Sequence, residues 1–227
     1  MNAPLSVIIP ALNAQANLPA CLEALVEGAV SDLIGEVLLV DGGSSDATPQ
    51  IAEAAGCHVH LAPRGRARQL IAGAGTARGT WLLFLHADTV LSPGWSQDVD
   101  DHMAGHPGKA AFFQLAFDAD CSEARWLAGR ANQRARWFGL PYGDQGLLVS
   151  RELYDAVGGF PDIALMEDVA LVRRIGKRRL RGLASVATTS AAKYERDGWR
   201  RRSWRNAWLL ARYLAGADPA KLAREYT

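Results

Sequence analysis

The chain has 227 residues, is 49% hydrophobic and 22% charged, and carries a formal net charge of +1. That length can bury a substantial core in one large domain or a domain with an appendage. The near-neutral balance gives the whole chain no electrostatic case for binding nucleic acid. Cys21, Cys57 and Cys121 are odd in number, scattered, and without metal-ligand spacing, so they read as free thiols of a reducing cytosol. The N-terminus has no basic stretch followed by a long apolar run, and no apolar run approaches ~20 residues. Neither a signal peptide nor a spanning helix is expected, and the expected location is cytoplasmic.

The first half alternates strand and helix. Residues 5–10 form a short β-rich run closed by Pro10, and 17–30 have helical spacing at Leu18, Cys21, Leu22, Leu25 and Val26. A second strand over 36–41 ends at Asp41, followed by the turn Gly42-Gly43-Ser44-Ser45-Asp46. Asp46 can cap a helix running through 51–55, with Pro49 in its first turn. A third strand is predicted over 57–61, an alanine-rich helix over 66–77, a fourth strand over 81–86 and a helix over 93–103. Repeated βα units at this spacing predict a parallel, right-handed, doubly wound sheet.

The second half is less regular. A longer strand is expected over 109–117, a helix with a basic face over 121–138, and a short strand over 146–150. A helix then stops at Gly158-Gly159, and another spans 167–175. The last prediction is one amphipathic helix over 199–214, with Trp204 and Trp208 one turn apart. No repeat or low-complexity linker interrupts the chain. The expected organisation is a domain over residues 1–190 with a C-terminal helical extension over 191–227 packed on it.

Carboxylates sit where such a sheet binds ligands, at the carboxyl ends of its strands. Asp41 ends the second strand, and a carboxylate there can accept from a base imide or ribose hydroxyls. Gly43 lets backbone approach the ligand closely. The competing reading is a polar strand end with a helix cap. His86-Ala87-Asp88-Thr89 follows the fourth strand, and one carboxylate suffices for a divalent ion whose other ligands are phosphate and water. The alternative is a capping Asp beside a packed histidine. Glu167-Asp168 opens a helix, where acids often only satisfy the dipole, although a carboxylate in a closed site can also serve as general base. Arg64, Arg66 and Arg68, between strand and helix, can clamp phosphates or simply start a solvated helix. The turn has no GxGxxG and no Walker lysine, which disfavours dinucleotide and P-loop readings.

The order of these motifs is specific. Ser6–Asn13, Val40–Thr48, Phe84–Thr89 and Glu167-Asp168 together resemble the inverting family 2 glycosyltransferases, across about residues 5–185. Within that family, Gly65–Gln69 and Leu85–Thr89 resemble a small bacterial branch labelled as associated with arsenosugar biosynthesis. The resemblance implies an α/β, Rossmann-like GT-A fold, with a mostly parallel central sheet and helices on both faces. It implies a metal-dependent transfer of sugar from a nucleotide-diphosphate donor, UDP-linked by default, to an acceptor hydroxyl, with Mg²⁺ or Mn²⁺ as cofactor. Pro10, Ala11 and Asn13 would line the nucleotide pocket, with Asp41 on the base and Gly43 beside it. Asp88 would contact the metal, next to Ala87, with Arg66 or Arg68 near the diphosphate. Asp168 would be the general base with Glu167 beside it, and Asp144 and Gln145 would form part of the acceptor and donor-sugar wall.

Two positions depart from the family pattern. Ala14 stands where the family usually has Glu, and His86 stands at the first acidic position of the metal motif. These departures keep a nucleotide-sugar-binding protein without transferase activity among the readings. A nucleotidyltransferase would show a glycine-rich, basic first loop, absent between Pro10 and Leu18. The 199–214 helix has two readings: a peripheral contact with an anionic membrane, or tryptophans packed on the sheet or a dimer partner with arginines facing solvent or phosphate. The second is the favoured expectation.

Overall fold

The computed structural model describes residues 3–226. Strand β1 (Leu5–Ala11) is buried at all seven positions, as a strand covered on both faces must be. Its side chains alternate between two cores. Leu5, Val7 and Ile9 pack with Leu18, Leu22 and Leu25 of α1 (Leu18–Val30) and with Trp95 and Val99 of α4 (Trp95–Gly105). Ile8 points the other way, toward Leu70 and Ala74 of α3 (Arg66–Thr76) and Leu171, Val172 and Ile175 of α7 (Glu167–Ile175). Helix α3 approaches so closely that a Cβ at Gly73 would lie 2.5 Å from Ile8 Cγ2, which fixes glycine there.

Eight strands form one sheet in the order β3-β2-β1-β4-β7-β6-β8-β5. The half built from β1, β2 (Ile34–Asp41), β3 (His58–Leu61) and β4 (Trp81–Phe84) is parallel. Its order places the topological switch between β1 and β4, where a doubly wound sheet opens its ligand crevice. The β1–β4 ladder ends at Ile8↔Phe84, so Pro10, which lacks an N–H, lies beyond it.

The other half of the mostly parallel sheet mixes strand directions. Strand β7 (Leu147–Ser150) runs antiparallel to β4 and to β6 (Ala110–Phe117). It enters the sheet from the carboxyl end of β4, and that direction places the preceding 3₁₀ turn, Gly143–Gln145, at the crevice. Strand β8 (Leu180–Thr189), which the sequence patterning did not predict, pairs parallel to β6 and antiparallel to the short β5 (Thr89–Leu91). The Thr89↔Thr189 register carries the end of β8 to the segment bearing Asp88.

The remaining helices are α2 (Thr48–Ala54), α5 (Ser122–Phe138), α6 (Arg151–Ala156), α8 (Ala192–Asp197), α9 (Trp199–Leu214) and α10 (Pro219–Tyr226). Phe117 makes edge contacts with the rings of Tyr194 and Trp199, and Leu209 and Leu222 are buried. On α9, Trp199 packs inward, whereas Trp204 and Trp208 do not pack on the sheet. Trp204 and Trp208 are 78% and 63% exposed, while Arg202 is 5% exposed. Helical periodicity explains this: Arg202, Asn206 and Leu209 share the inward face, and Trp204 and Trp208 lie on the other. Among the described residues, no helix is long and apolar enough to cross a membrane.

Candidate active site

At the ends of β1 and β2, two loops are knitted together. The Asp41 carboxylate accepts from the Gly43 and Ser44 N–H groups at 3.0 and 2.9 Å and from the Ser44 hydroxyl. Ser44 Oγ in turn accepts from Asn13 N–H, and Asn13 Oδ1 accepts from Ser45 N–H. Asn13 takes a left-handed backbone (φ 52°), a conformation Asn tolerates better than most side chains. Beneath them the buried Gln69 donates through Nε2 to both Ala11 O and Val40 O, at 2.7 and 2.8 Å, clamping the two strand ends. Of about four acceptor sites on the Asp41 carboxylate, three are used by its own loop, and the residue is 1% exposed. At Ala14, the backbone N–H donates to Thr48 Oγ1 at 2.7 Å.

A second group surrounds the end of β4. Met166 adopts a left-handed backbone (φ 67°) at the start of α7, unusual for a side chain of its size. The next two carboxylates then diverge. Glu167 is 1% exposed, and its Oε1 accepts from Arg66 Nε. Asp168 lines a cavity; its Oδ2 accepts from Gly143 N–H at 2.8 Å and lies 3.7 Å from Arg66 Nη2 in an ion pair. A Cβ on Gly143 would lie 2.7 Å from His86 Nε2 and 3.4 Å from Asp168 Oδ2, so the turn can approach both only as glycine.

His86 Nε2 lies 3.4 Å from Arg66 Nη1. A guanidinium only donates, so His86 can take a hydrogen bond from Arg66 here only through an unprotonated Nε2. Burial, then the charges of Arg66 and Lys193, push the imidazole down to about 3, leaving it neutral at ordinary pH.

The cavity, about 140 Å³, is lined by Arg66, His86, Asp88, Gly143, Asp144 and Asp168 from the sheet side. Its roof comes from the tail, through Lys193, Tyr194, Arg202, Asn206, Leu209 and Tyr226. Arg202 is held by Asp197 at 2.6 Å and donates to the Tyr226 hydroxyl at 3.1 Å, while its buried Nε has no hydrogen-bond partner. Asn206 Oδ1 and Asp144 Oδ1 are likewise buried and unpartnered. Burial raises the Asp144 carboxyl from 3.8 to about 6; the Arg134 charge pulls it back and Asp168 pushes it further up.

Of the residues singled out in the sequence, Arg66, Asp88, Asp144 and Asp168 meet in this cavity, with Glu167 anchoring Arg66 from behind. Pro10, Ala11, Asn13, Asp41 and Gly43 group instead at the β1 and β2 ends. Ala87 is buried and packs in the core. Gln145 is fully buried and donates to Phe113 O, so it supports the turn rather than forming a cavity wall. Arg68 is exposed and pairs with Asp162, away from the cavity lining. Sequence reasoning did not find Gln69, Tyr142, Thr189, Lys193, Tyr194 or Tyr226. The Arg202-Asn206-Leu209 spacing on α9 was the available signal for the roof.

Among the described residues no group of three or more His, Cys, Asp or Glu side chains is placed to hold a metal ion. A divalent ion whose remaining ligands are diphosphate oxygens and water asks for less. Asp88 lines the cavity, and its contact from Thr189 Oγ1 is a long 3.5 Å. Asp88 and the unpartnered Asp144 Oδ1 are hard oxygen donors, the ligand type that Mg²⁺ or Mn²⁺ takes. His86 Nε2 faces Arg66 instead, so the imidazole is an unsuitable ligand through that atom.

Comparison with known proteins follows the same lines. The model of Glycosyl transferase family 2 matches residues 6–163. A PGL/p-HBAD biosynthesis glycosyltransferase of Mycobacterium bovis (strain BCG / Pasteur 1173P2) is 41% identical over 105 residues, which is 40% of this chain and 38% of that protein. The match therefore spans well under half of that relative's length. Among solved structures, S. aureus TarS 1-349 in complex with UDP-GlcNAc superposes with a TM-score of 0.64 at 17% identity, covering 82% of this chain and 58% of that one. The mannosyltransferase PcManGT from Pyrobaculum calidifontis, in complex with GDP-Man and Mn²⁺, gives a TM-score of 0.65 at 19% identity, covering 98% and 67%. At these identities the likeness is one of fold, the GT-A arrangement.

Proposed function

The chain belongs to glycosyl transferase family 2, and from that premise we propose a metal-dependent, inverting transfer of sugar from a nucleotide-diphosphate donor, with UDP favoured, to an acceptor hydroxyl. The observation that carries this reading is the Asp168 carboxylate, fixed by Gly143 N–H at 2.8 Å and lining the same cavity as Asp88. The loops at the β1 and β2 ends, with Asp41 and Asn13, would take the nucleoside. The branch resemblance carried by Gly65–Gln69 and Leu85–Thr89 adds a biosynthetic context and names no substrate.

Asp168 takes the proton from the acceptor hydroxyl as that oxygen attacks the anomeric carbon. The bond from that carbon to the diphosphate oxygen breaks on the opposite side, and the nucleoside diphosphate leaves with the electron pair. Configuration inverts in the single step. Asp88 would hold Mg²⁺ or Mn²⁺, with Asp144 nearby, and the bound ion supplies charge neutralisation to the departing diphosphate. Arg66, Lys193 and Arg202 add fixed positive charge around the same space, and the tail roof excludes water from it. Positioning and charge stabilisation together carry the acceleration, since no covalent intermediate is required.

Isothermal titration with UDP, GDP, dTDP and CMP, each with Mn²⁺ and with EDTA, tests this reading. One nucleoside diphosphate is expected to bind with Mn²⁺ and to weaken with EDTA. Binding by none of them returns Asp41 and Asp88 to structural roles.

A further inference from the structure

Six of the exposed large apolar side chains among the described residues, five of them aromatic, lie on two helices that pack against each other, α5 and α9. Trp126, Trp137 and Phe138 on α5 are 63%, 63% and 67% exposed, and Trp204 and Trp208 on α9 are 78% and 63% exposed. Trp126 and Trp137 are three helical turns apart on one face, with Arg130 between them and its guanidinium over the Trp126 ring. Charge follows the same two helices. α5 has four Arg and one Glu, and α9 has five Arg and no acid. They hold +8 in a chain whose net charge is +1, although Arg202 faces the cavity and Arg125, Arg205 and Arg212 pair with Asp120, Asp197 and Glu225. Arg125, Arg130, Arg136, Arg200 and Arg201 are exposed.

We propose that the outer faces of α5 and α9 dock the protein flat on an anionic lipid surface. Indole rings are favoured at the headgroup level, where an apolar body and a polar N–H are both satisfied. Arginines around them reach lipid phosphates while their stems cover apolar surface. A helix with one basic, tryptophan-bearing face lies in the interface without crossing it. An apolar protein partner would account for the tryptophans and leave the concentrated positive charge unmatched; an anionic membrane answers both. The inner face of α9 carries Arg202, Asn206 and Leu209 into the cavity roof. Docking therefore sets the catalytic cavity one helix away from the lipid surface. This goes beyond the transferase reading and stands or falls separately from it.

Co-sedimentation of the 227-residue protein with vesicles tests the inference. Vesicles of phosphatidylcholine mixed with phosphatidylglycerol should carry the protein down, those of phosphatidylcholine alone should not, and salt should release it. Trp204→Ser with Trp208→Ser, and separately Arg130→Ala with Arg200→Ala and Arg201→Ala, should each weaken partitioning by about tenfold or more. Melting temperature and nucleoside diphosphate affinity should be retained in both sets. No sedimentation of folded wild-type protein with the anionic vesicles overturns the proposal, as does equal binding to neutral ones. Unchanged binding by both variant sets overturns it as well. Self-association abolished by the tryptophan changes, without vesicle binding, assigns the face to a second copy instead. Binding to single-stranded RNA in place of vesicles assigns it to a polynucleotide.

Discussion

Arg66 reaches from the first turn of α3 to Glu167, a carboxylate 1% exposed and 101 residues further along the chain. The pair joins the two helices that frame the cavity, and it leaves the adjacent Asp168 as the carboxylate facing substrate. Glu167 is thus a positioning residue in the proposed mechanism, and Arg66 is the cation it positions. Arg66→Ala and Glu167→Ala should couple by about 0.5–3 kcal/mol in a double-mutant cycle on unfolding free energy. Turnover should show the same non-additivity. Simple additivity in both measurements would mean that the ion pair positions nothing.

Asp168→Asn should lower turnover by about 10²- to 10⁴-fold, the range of a lost general base. Nucleoside diphosphate affinity, measured by titration calorimetry, should stay close to wild type. A parallel fall in affinity would make Asp168 a binding group instead.

Asp144 gives the protein a pH-dependent term of known sign. Its carboxyl is raised in the folded state from 3.8 to about 6 by burial, against the opposing charge of Arg134. Between those values the folded chain binds a proton that the unfolded chain has released. The stability this contributes is complete below about pH 4 and is lost as pH rises through about 6. Asp144→Asn does not titrate. The melting temperature of the variant, relative to wild type, should therefore climb from about pH 4 to about pH 7. A constant difference across that range would show that the buried carboxyl titrates normally.

Arg202→Met keeps much of the side-chain volume and removes the charge that roofs the cavity. Nucleoside diphosphate affinity should drop by roughly 10- to 100-fold, as expected for a lost charge-assisted hydrogen bond. If affinity holds while the acceptor KM rises, Arg202 belongs to the acceptor wall.

The parallel half of the sheet was legible because β1, β2 and β4 are largely apolar runs within repeated strand–helix units. Asp41, Asp88 and Asp168 were legible because each stands at a strand end or helix start. The roof was not, since Lys193, Arg202 and Tyr226 approach Asp88 only through the β5–β8 pairing, and no local spacing announces a pairing between segments 100 residues apart. The divergence of Glu167 from Asp168 was equally hidden, because it depends on the backbone of Met166. Large apolar side chains are usually buried, yet on α9 the inward stripe carries Arg202, Asn206 and Leu209, and of its tryptophans Trp199 packs against Phe117 while Trp204 and Trp208 are exposed.

Tyr226 belongs both to the cavity roof and to α10, an eight-residue helix with Leu222 as its buried apolar anchor. A unit so small opens more readily than the sheet beneath it. The way in and out of the cavity is thus an opening of α10, with the strands, Asp88 and Asp168 unmoved. Whatever binds Arg202 and Tyr226 from inside would make that helix slower to exchange its amide protons and harder for a protease to clip.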